Sequence, residues 1–206
     1  MNHYFSDNSS LKSDETETEY VFRFMRFVFI TDAGVFAKSG VDSATDILLG
    51  SLPEMREGER VLDIGCGYGV AGVVLSRIYG AAVSVVMSDV NERALDLARR
   101  NLQKNNAVAG GADVEIVKSD GFAGLAGHGQ FDRIILNPPI HAGKSVIYRL
   151  YEDSRKHLAP GGALYIVVRK KHGALSHRQK LGEIFRPENL SVLYSKKGLF
   201  VFEARL

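Results

Sequence analysis

The stretch "RVLDIGCGYG", residues 60–69, decides the fold. A short run built on Val61, Leu62 and Ile64 is stopped by glycines at 65, 67 and 69, and an apolar, helix-length segment, "GVAGVVLSRIYG" (69–80), follows without a spacer. A buried strand that passes through a glycine turn straight into a helix opens a strand–helix–strand unit.

Downstream, the same alternation repeats. "AVSVVMSD" (82–89) has strand character, and "NERALDLARRNLQKNN" (91–106) is an amphipathic helix. "DVEIVKSD" (113–120) and "FDRIIL" (131–136) are strands separated by a glycine-rich loop. "KSVIYRLYEDSRKHL" (144–158) is helical and stopped by "APGG", "ALYIVVR" (163–169) is a strand, and a helix covers about 174–185. "LSVLYSK" and "GLFVFEAR" close the chain as two strands joined at Lys197-Gly198. Repeated strand–helix units demand a mainly parallel sheet with helices on both faces, whereas the last two strands, joined too tightly for a crossover, are antiparallel. The expected fold is therefore α/β with a mostly parallel seven-stranded sheet ending in an antiparallel hairpin.

Upstream, "SDNSSLKSDETETE" (6–19) is acidic and nearly free of large apolar groups, so residues 1–19 read as a polar arm that packs late or stays mobile. Residues 20–38, rich in aromatic and β-branched side chains with an Asp32-Ala33-Gly34 turn, read as two short strands forming a small β cap. Residues 42–52 read as a helix with Asp42 near its N-cap. The expected domain thus spans 20–206, with the cap at 20–41 and the catalytic core at 42–206. Its 206 residues suit one domain, and no apolar run reaches the roughly 20 residues of a membrane span. A single cysteine, Cys66, suits a reducing cytosol and reads as a small buried residue. The net charge of +2 is too small to argue for a nucleic-acid partner without a localised patch.

Ligands of such sheets bind at the carboxyl ends of the strands. Those ends carry Asp63 with the glycine turn, then Asp89, then Asp120, then Asn137-Pro138-Pro139. Each could be a simple turn residue, but four polar strand ends in succession converge on one crevice. "GYGVAG" (67–72) matches a dinucleotide-binding fingerprint, with Asp89 about twenty residues on. Its register is offset from the strand end, and Asp63 would oppose a pyrophosphate. A carboxylate there suits a cationic or amine-bearing ligand.

Taken together, "VLDIGCGYG", the acidic end of the second strand, Asp120 and "NPPI" resemble the class I S-adenosylmethionine-dependent methyltransferases, whose fold is Rossmann-like. "FITDAGVFAKSGVD", "NPPIHAGK" and "KKGLFVFEARL" look like the small-domain methyltransferases related to the ribosomal RNA small-subunit methyltransferase C family, which methylate the exocyclic amine of guanine. The resemblance covers about residues 20–206, and the extra N-terminal domain of larger family members has no counterpart in this sequence. It implies S-adenosylmethionine as cofactor. It also implies that Gly65 and Gly67 let the backbone approach the amino-acid end of that cofactor, near Asp63. Asp89 would take both ribose hydroxyls, and Asp120, with Gly121 and Phe122 beside it, the adenine amine. Ile140 stands where many amino-methylating relatives carry an aromatic. Lys38 and Asp42 belong to the N-terminal motif and are candidates to line the site, against the plainer readings of a surface lysine and a helix cap.

That chemistry explains the asparagine followed by two prolines. The lone pair of an exocyclic amine is delocalised into the base, so two acceptors are needed to hold its hydrogens and aim nitrogen at the methyl group. Asn137, which also borders the cofactor, offers a side-chain carbonyl, and Pro138 a main-chain carbonyl. Pro138 and Pro139 stiffen the backbone and remove its N–H groups. For RNA, "RKKHG" (169–173) supplies Arg169, Lys170 and Lys171 at the same sheet edge, and Lys38 and Lys144 extend a rim that would contact phosphates. A solvated charge run is the competing reading. The six histidines show no metal-ligand spacing, so no metal is expected. The sequence reading is an RNA guanine N-methyltransferase, cytoplasmic, monomeric or homodimeric, acting on ribosomal RNA or the small subunit. A protein glutamine N-methyltransferase, a nicotinamide-dependent oxidoreductase and a non-catalytic RNA-binding module are the alternatives.

Overall fold

A computed structural model describes residues 12–206. Seven strands form one sheet: β3 (Glu59–Ile64), β4 (Val83–Asp89), β5 (Asp113–Lys118), β6 (Phe131–Leu136), β7 (Leu158–Arg169), β8 (Leu190–Lys196) and β9 (Leu199–Arg205). Their order across the sheet is β5-β4-β3-β6-β7-β9-β8, and only β9 runs antiparallel to its neighbours. This is the Rossmann-like arrangement that the alternation and the resemblance imply. The order reverses between β3 and β6, which pair in parallel at Val61–Arg133 to Asp63–Ile135. A crevice opens at such a switch point because the connections leave β3 and β6 in opposite directions.

The strand pleat divides the apolar residues into two cores. Val61, Met87, Ile135, Tyr165 and Val167 face helices α1 (Ser43–Ser51), α2 (Val70–Tyr79) and α3 (Glu92–Lys104). Leu62, Val86, Ile134, Leu136 and Ile166 face α4 (Lys144–His157) and α5 (Ala174–Phe185). Alternate residues of each strand thus serve opposite layers, so the central strands read as continuous apolar runs. Among the described residues no helix is long and apolar enough to cross a membrane.

Two expectations need correction at the N-terminus. Residues 1–11 of the expected polar arm lie outside the described residues. Residues 16–19, however, belong to strand β1 (Thr16–Phe22), which pairs antiparallel with β2 (Met25–Thr31) in full register. The acidic residues stay at the surface but are paired with cations. Glu15 accepts both guanidinium nitrogens of Arg100 at 2.7 Å, and Glu17 meets Lys104 at 2.8 Å. The hairpin turn falls at Arg23-Phe24, both at positive φ (47° and 63°), instead of at Asp32-Ala33-Gly34.

The hairpin is held against the sheet by side-chain amides. Asn101 on α3 and Asn105 at its C-cap, one turn apart, pair with the free edge of β2. Asn101 accepts from Ile30 N–H (2.7 Å) and donates to Ile30 C=O (2.9 Å), and Asn105 does the same at Val28 (2.9 and 2.8 Å). They satisfy the edge as a further strand would. Beyond β2, residues 32–42 cross the strand ends, tied down where Asn91 donates to Gly34 C=O (3.0 Å) and Tyr68 donates to Gly40 C=O (3.1 Å).

Candidate active site

At the switch point lies a cavity of about 230 Å³. Its floor is the turn between β3 and α2. The Gly65 and Cys66 N–H groups both donate to Ser88 C=O, at 2.8 and 2.9 Å, which anchors the turn to β4. Gly65 and Gly67 have φ of 70° and 56°, a conformation that side chains disfavour, and an added Cβ would meet no protein atom within 4 Å. Gly72 differs: a Cβ there would lie 2.1 Å from the Met87 sulfur. The run thus keeps two glycines beside open space and a third for close packing of α2 on β4.

Two carboxylates hold this turn. Asp89, at the end of β4, accepts the Gly67 N–H at 2.8 Å and the Asn91 N–H at 2.9 Å. Asp63 is only 6 % exposed, accepts the Gly72 N–H at 3.0 Å, and has no other protein partner among the described residues. Burial raises both carboxyls above their ordinary range, Asp63 to about 7, with the nearby Asp89 adding to the rise. Burial, Asp89 and Asp63 push the thiol of Cys66 well up, which disfavours its thiolate.

The rise at Asp63 has a consequence for stability. Its folded value lies above the unfolded carboxylate value of 3.8, so between about pH 4 and 7 the folded state binds the extra proton. Stability falls as pH rises through that window, by up to about 4 kcal/mol, and levels off above it. Asp63→Asn is expected to abolish this slope, so that the variant gains on the wild type from pH 5 to pH 8. Urea midpoints at the two pH values measure it, and parallel curves would contradict the buried-acid reading.

The wall opposite the glycines is the Asn137 loop. Asn137 Nδ2 donates to Asp42 Oδ2 and to Thr45 Oγ1, both at 3.1 Å. A carboxylate only accepts, so these bonds fix the amide with nitrogen toward α1 and leave Oδ1 as a free acceptor. Arg169 in turn donates to Asp42 Oδ1 at 2.8 Å and to Ser43 Oγ at 3.1 Å. The Pro139 carbonyl is used by the Ala142 N–H at 2.9 Å, whereas the Pro138 carbonyl has no partner among the described residues. Asp42 therefore spends its side chain on the site, although it occupies the N-cap position of α1.

Of the residues singled out in the sequence, Asp63, Gly65, Gly67, Asp89, Asn137, Pro138, Pro139, Ile140 and Arg169 line this one cavity, with Asp42. Seven others named as site candidates do not. Asp120 is exposed two residues beyond β5, and neither it nor Gly121 reaches the cavity wall. Phe122 is turned into the second core, where its ring stacks on His157 at 4.5 Å. Lys38 pairs with Asp14, and Lys170 and Lys171 line a separate, shallower concavity. Lys144 stands at the start of α4, outside the lining. Sequence reasoning missed Phe36, Thr45, Tyr68, His141 and His172, all of which line the cavity. Phe36, Tyr68, His141 and His172 all stand inside motifs singled out in the sequence, whereas Thr45 carried no such signal. His172 is held below the usual imidazole value by burial, then by Lys171, Arg169 and His141, which favours its neutral form. Among the described residues no group of His, Cys, Asp and Glu is arranged to hold a metal ion.

Residues 26–203 match the family model of the methyltransferase small domain. The chain belongs to that family. Along nearly its whole length, 98 % of both chains, it is 38 % identical to the uncharacterized protein YbxB of Bacillus subtilis. It is 40 % identical over 139 residues to the ribosomal RNA small subunit methyltransferase C of Pasteurella multocida, covering 66 % of this chain and 40 % of that protein. Among solved structures it resembles the T. thermophilus 16S rRNA N2 methyltransferase RsmC, in complex with AdoMet and guanosine. There the TM-score is 0.78 at 25 % identity, covering 93 % of this chain and 50 % of that one. This chain thus spans half or less of those two methyltransferases. A methyltransferase of this fold class uses S-adenosylmethionine, and the cavity fits that group: a glycine turn with open space beside it and two partly unsatisfied carboxylates, the buried Asp63 and the half-buried Asp89.

Proposed function

We propose that this small-domain methyltransferase methylates the exocyclic N2 amine of a guanine in RNA, most directly small-subunit ribosomal RNA in the cytoplasm. The observation that carries the reading is the fixed amide of Asn137, whose Oδ1 is left free by bonds to Asp42 and Thr45. When bound, S-adenosylmethionine supplies an electrophilic methyl group on sulfur. Gly65 and Gly67 admit its amino-acid end. Asp63 then faces an ammonium, which favours the ionised carboxylate despite burial. Asp89 keeps a lone pair on each oxygen beyond its two backbone bonds, enough to accept the ribose hydroxyls. Asp120 remains the acceptor we assign to the adenine amine, at the exposed end of the same edge.

Toward the substrate, Asn137 Oδ1 and the Pro138 carbonyl accept the two amine hydrogens. That turns the nitrogen lone pair out of conjugation and offsets the positive charge that grows on it. Because both acceptors are fixed before substrate arrives, no reorganisation is needed at the moment of transfer. Ile140 gives the base an aliphatic floor. Phe36, 42 % exposed on the lining, is the ring available to stack on it. The relatives named for ribosomal RNA support the nucleic-acid substrate.

The test is transfer of a tritiated methyl group from S-adenosylmethionine into total RNA from cells lacking this protein, followed by nucleoside analysis. N2-methylguanosine is the expected product. Label on glutamine side chains of protein, with none in RNA, would overturn the assignment.

A further inference from the structure

Arg169 lines the methyl-transfer cavity and also a second, shallower concavity, shared with Lys170, Lys171, Lys197 and Gly198. Two turns build it. One follows β7, and the other is the two-residue connection between β8 and β9. The Lys170 N–H donates to Gly198 C=O at 2.7 Å, so the turns are locked together. The three lysines are exposed, none has an ion-pair partner among the described residues, and no carboxylate lines the concavity. Some surface cations are neutralised, Arg100 by Glu15, Lys104 by Glu17 and Lys180 by Glu152, while the exposed Arg99, Arg155 and Arg178 are, among the described residues, as unpaired as these lysines; what sets the three apart is that two locked turns bring them to one concavity.

Lys197 has φ of 51° and Gly198 71°, the left-handed pair of a tight hairpin turn. Its first position favours asparagine, aspartate or glycine. A lysine held there carries backbone strain and projects a charge from a rigid support.

We propose that these two turns form a binding site for RNA phosphates flanking the target nucleotide, coupled to the catalytic cavity through Arg169. The inference rests on the reading of RNA as substrate. Ammonium groups from two turns, with no aromatic or aliphatic residue in the lining, recognise compact anions rather than bases, so the site positions the strand without reading its sequence. Arg169 makes that position matter: its bond to Asp42 ends one link away from the Asn137 amide. A strand seated on the lysines is thereby registered against the acceptor for the target amine.

The test compares the wild type with Lys197→Asn, which removes the charge but tolerates the left-handed turn. A triple variant adds Lys170→Gln and Lys171→Gln, and Lys197→Arg serves as the charge-preserving control. The kcat/KM for methyl transfer into RNA from cells lacking this protein is measured between about 50 and 200 mM salt. The slope of log kcat/KM against log salt is expected to flatten by about 1 in Lys197→Asn and by about 3 in the triple variant. Lys197→Arg should keep the wild-type slope, and calorimetric affinity for S-adenosylmethionine should be the same in all four. An unchanged slope in the triple variant, in a preparation that methylates RNA, overturns the phosphate site alone. A wild type that labels protein and not RNA overturns the substrate reading as well, and that is seen without any variant.

Discussion

Asn137→Ala is expected to slow methyl transfer by roughly 100- to 1000-fold while leaving S-adenosylmethionine bound. The scale, about 2.7–4 kcal/mol, is that of losing one preorganised partner of a developing charge, as in an oxyanion hole. The geometry says why so much rests on one side chain. Its nitrogen is committed to Asp42 and Thr45, so its oxygen cannot rotate away when the substrate is absent. Single-turnover transfer at saturating cofactor and RNA isolates the chemical step from binding. Asn137→Asp sharpens the test, because it sets a second carboxylate oxygen where Nδ2 now meets Asp42. One of the two must then hold a proton, so the variant should be impaired at neutral pH and partly rescued by Asp42→Asn. Transfer at the wild-type rate in Asn137→Ala would reduce the Asn-Pro-Pro turn to a structural stop.

The parts of this site that were legible in the sequence are those fixed by local pattern. Asp63, Asp89 and Asn137 each end a strand, and the strand–helix alternation alone brings strand ends to one edge. What was hidden depends on contacts far apart in the chain. Asp42 and Asn137 are 95 residues apart, and Asp42 and Arg169 are 127 apart. They meet only because β6 and β7 lie side by side under α1, so Asp42 read equally well as a helix cap. The acidic 16–19 segment read as an arm that packs late or stays mobile for the same reason, since Lys104, the partner of Glu17, lies 87 residues away. Phe122 misled by its nearness to Asp120. A large ring buries against whatever apolar surface the fold offers, and here that is the second core beside His157. The hairpin turn at Arg23-Phe24 could not be read from turn residues, because neither is one.

Asp89→Ala is the second large effect expected, and it falls on cofactor binding. Two charged hydrogen bonds to ribose hydroxyls, each worth about 1.5–3 kcal/mol, imply at least a 100-fold loss of affinity. The Gly67 N–H would lose its acceptor as well, loosening the turn that admits the amino-acid end of the cofactor. Thermal shift separates this from simple misfolding. At a cofactor concentration near 100 times the wild-type Kd, binding stabilises the wild type by about 2.7 kcal/mol. For a chain of this size that is a rise of roughly 5–11 °C in Tm. A variant bound 100-fold more weakly gains only about 0.4 kcal/mol at the same concentration, roughly 1 °C. The unliganded variant should still melt in one transition, because Asp89 lies at a strand end and both apolar cores are untouched by its loss. A full cofactor-induced shift in Asp89→Ala would move the ribose away from β4. A matching shift with NAD in the wild type would return the glycine turn to the dinucleotide-binding reading.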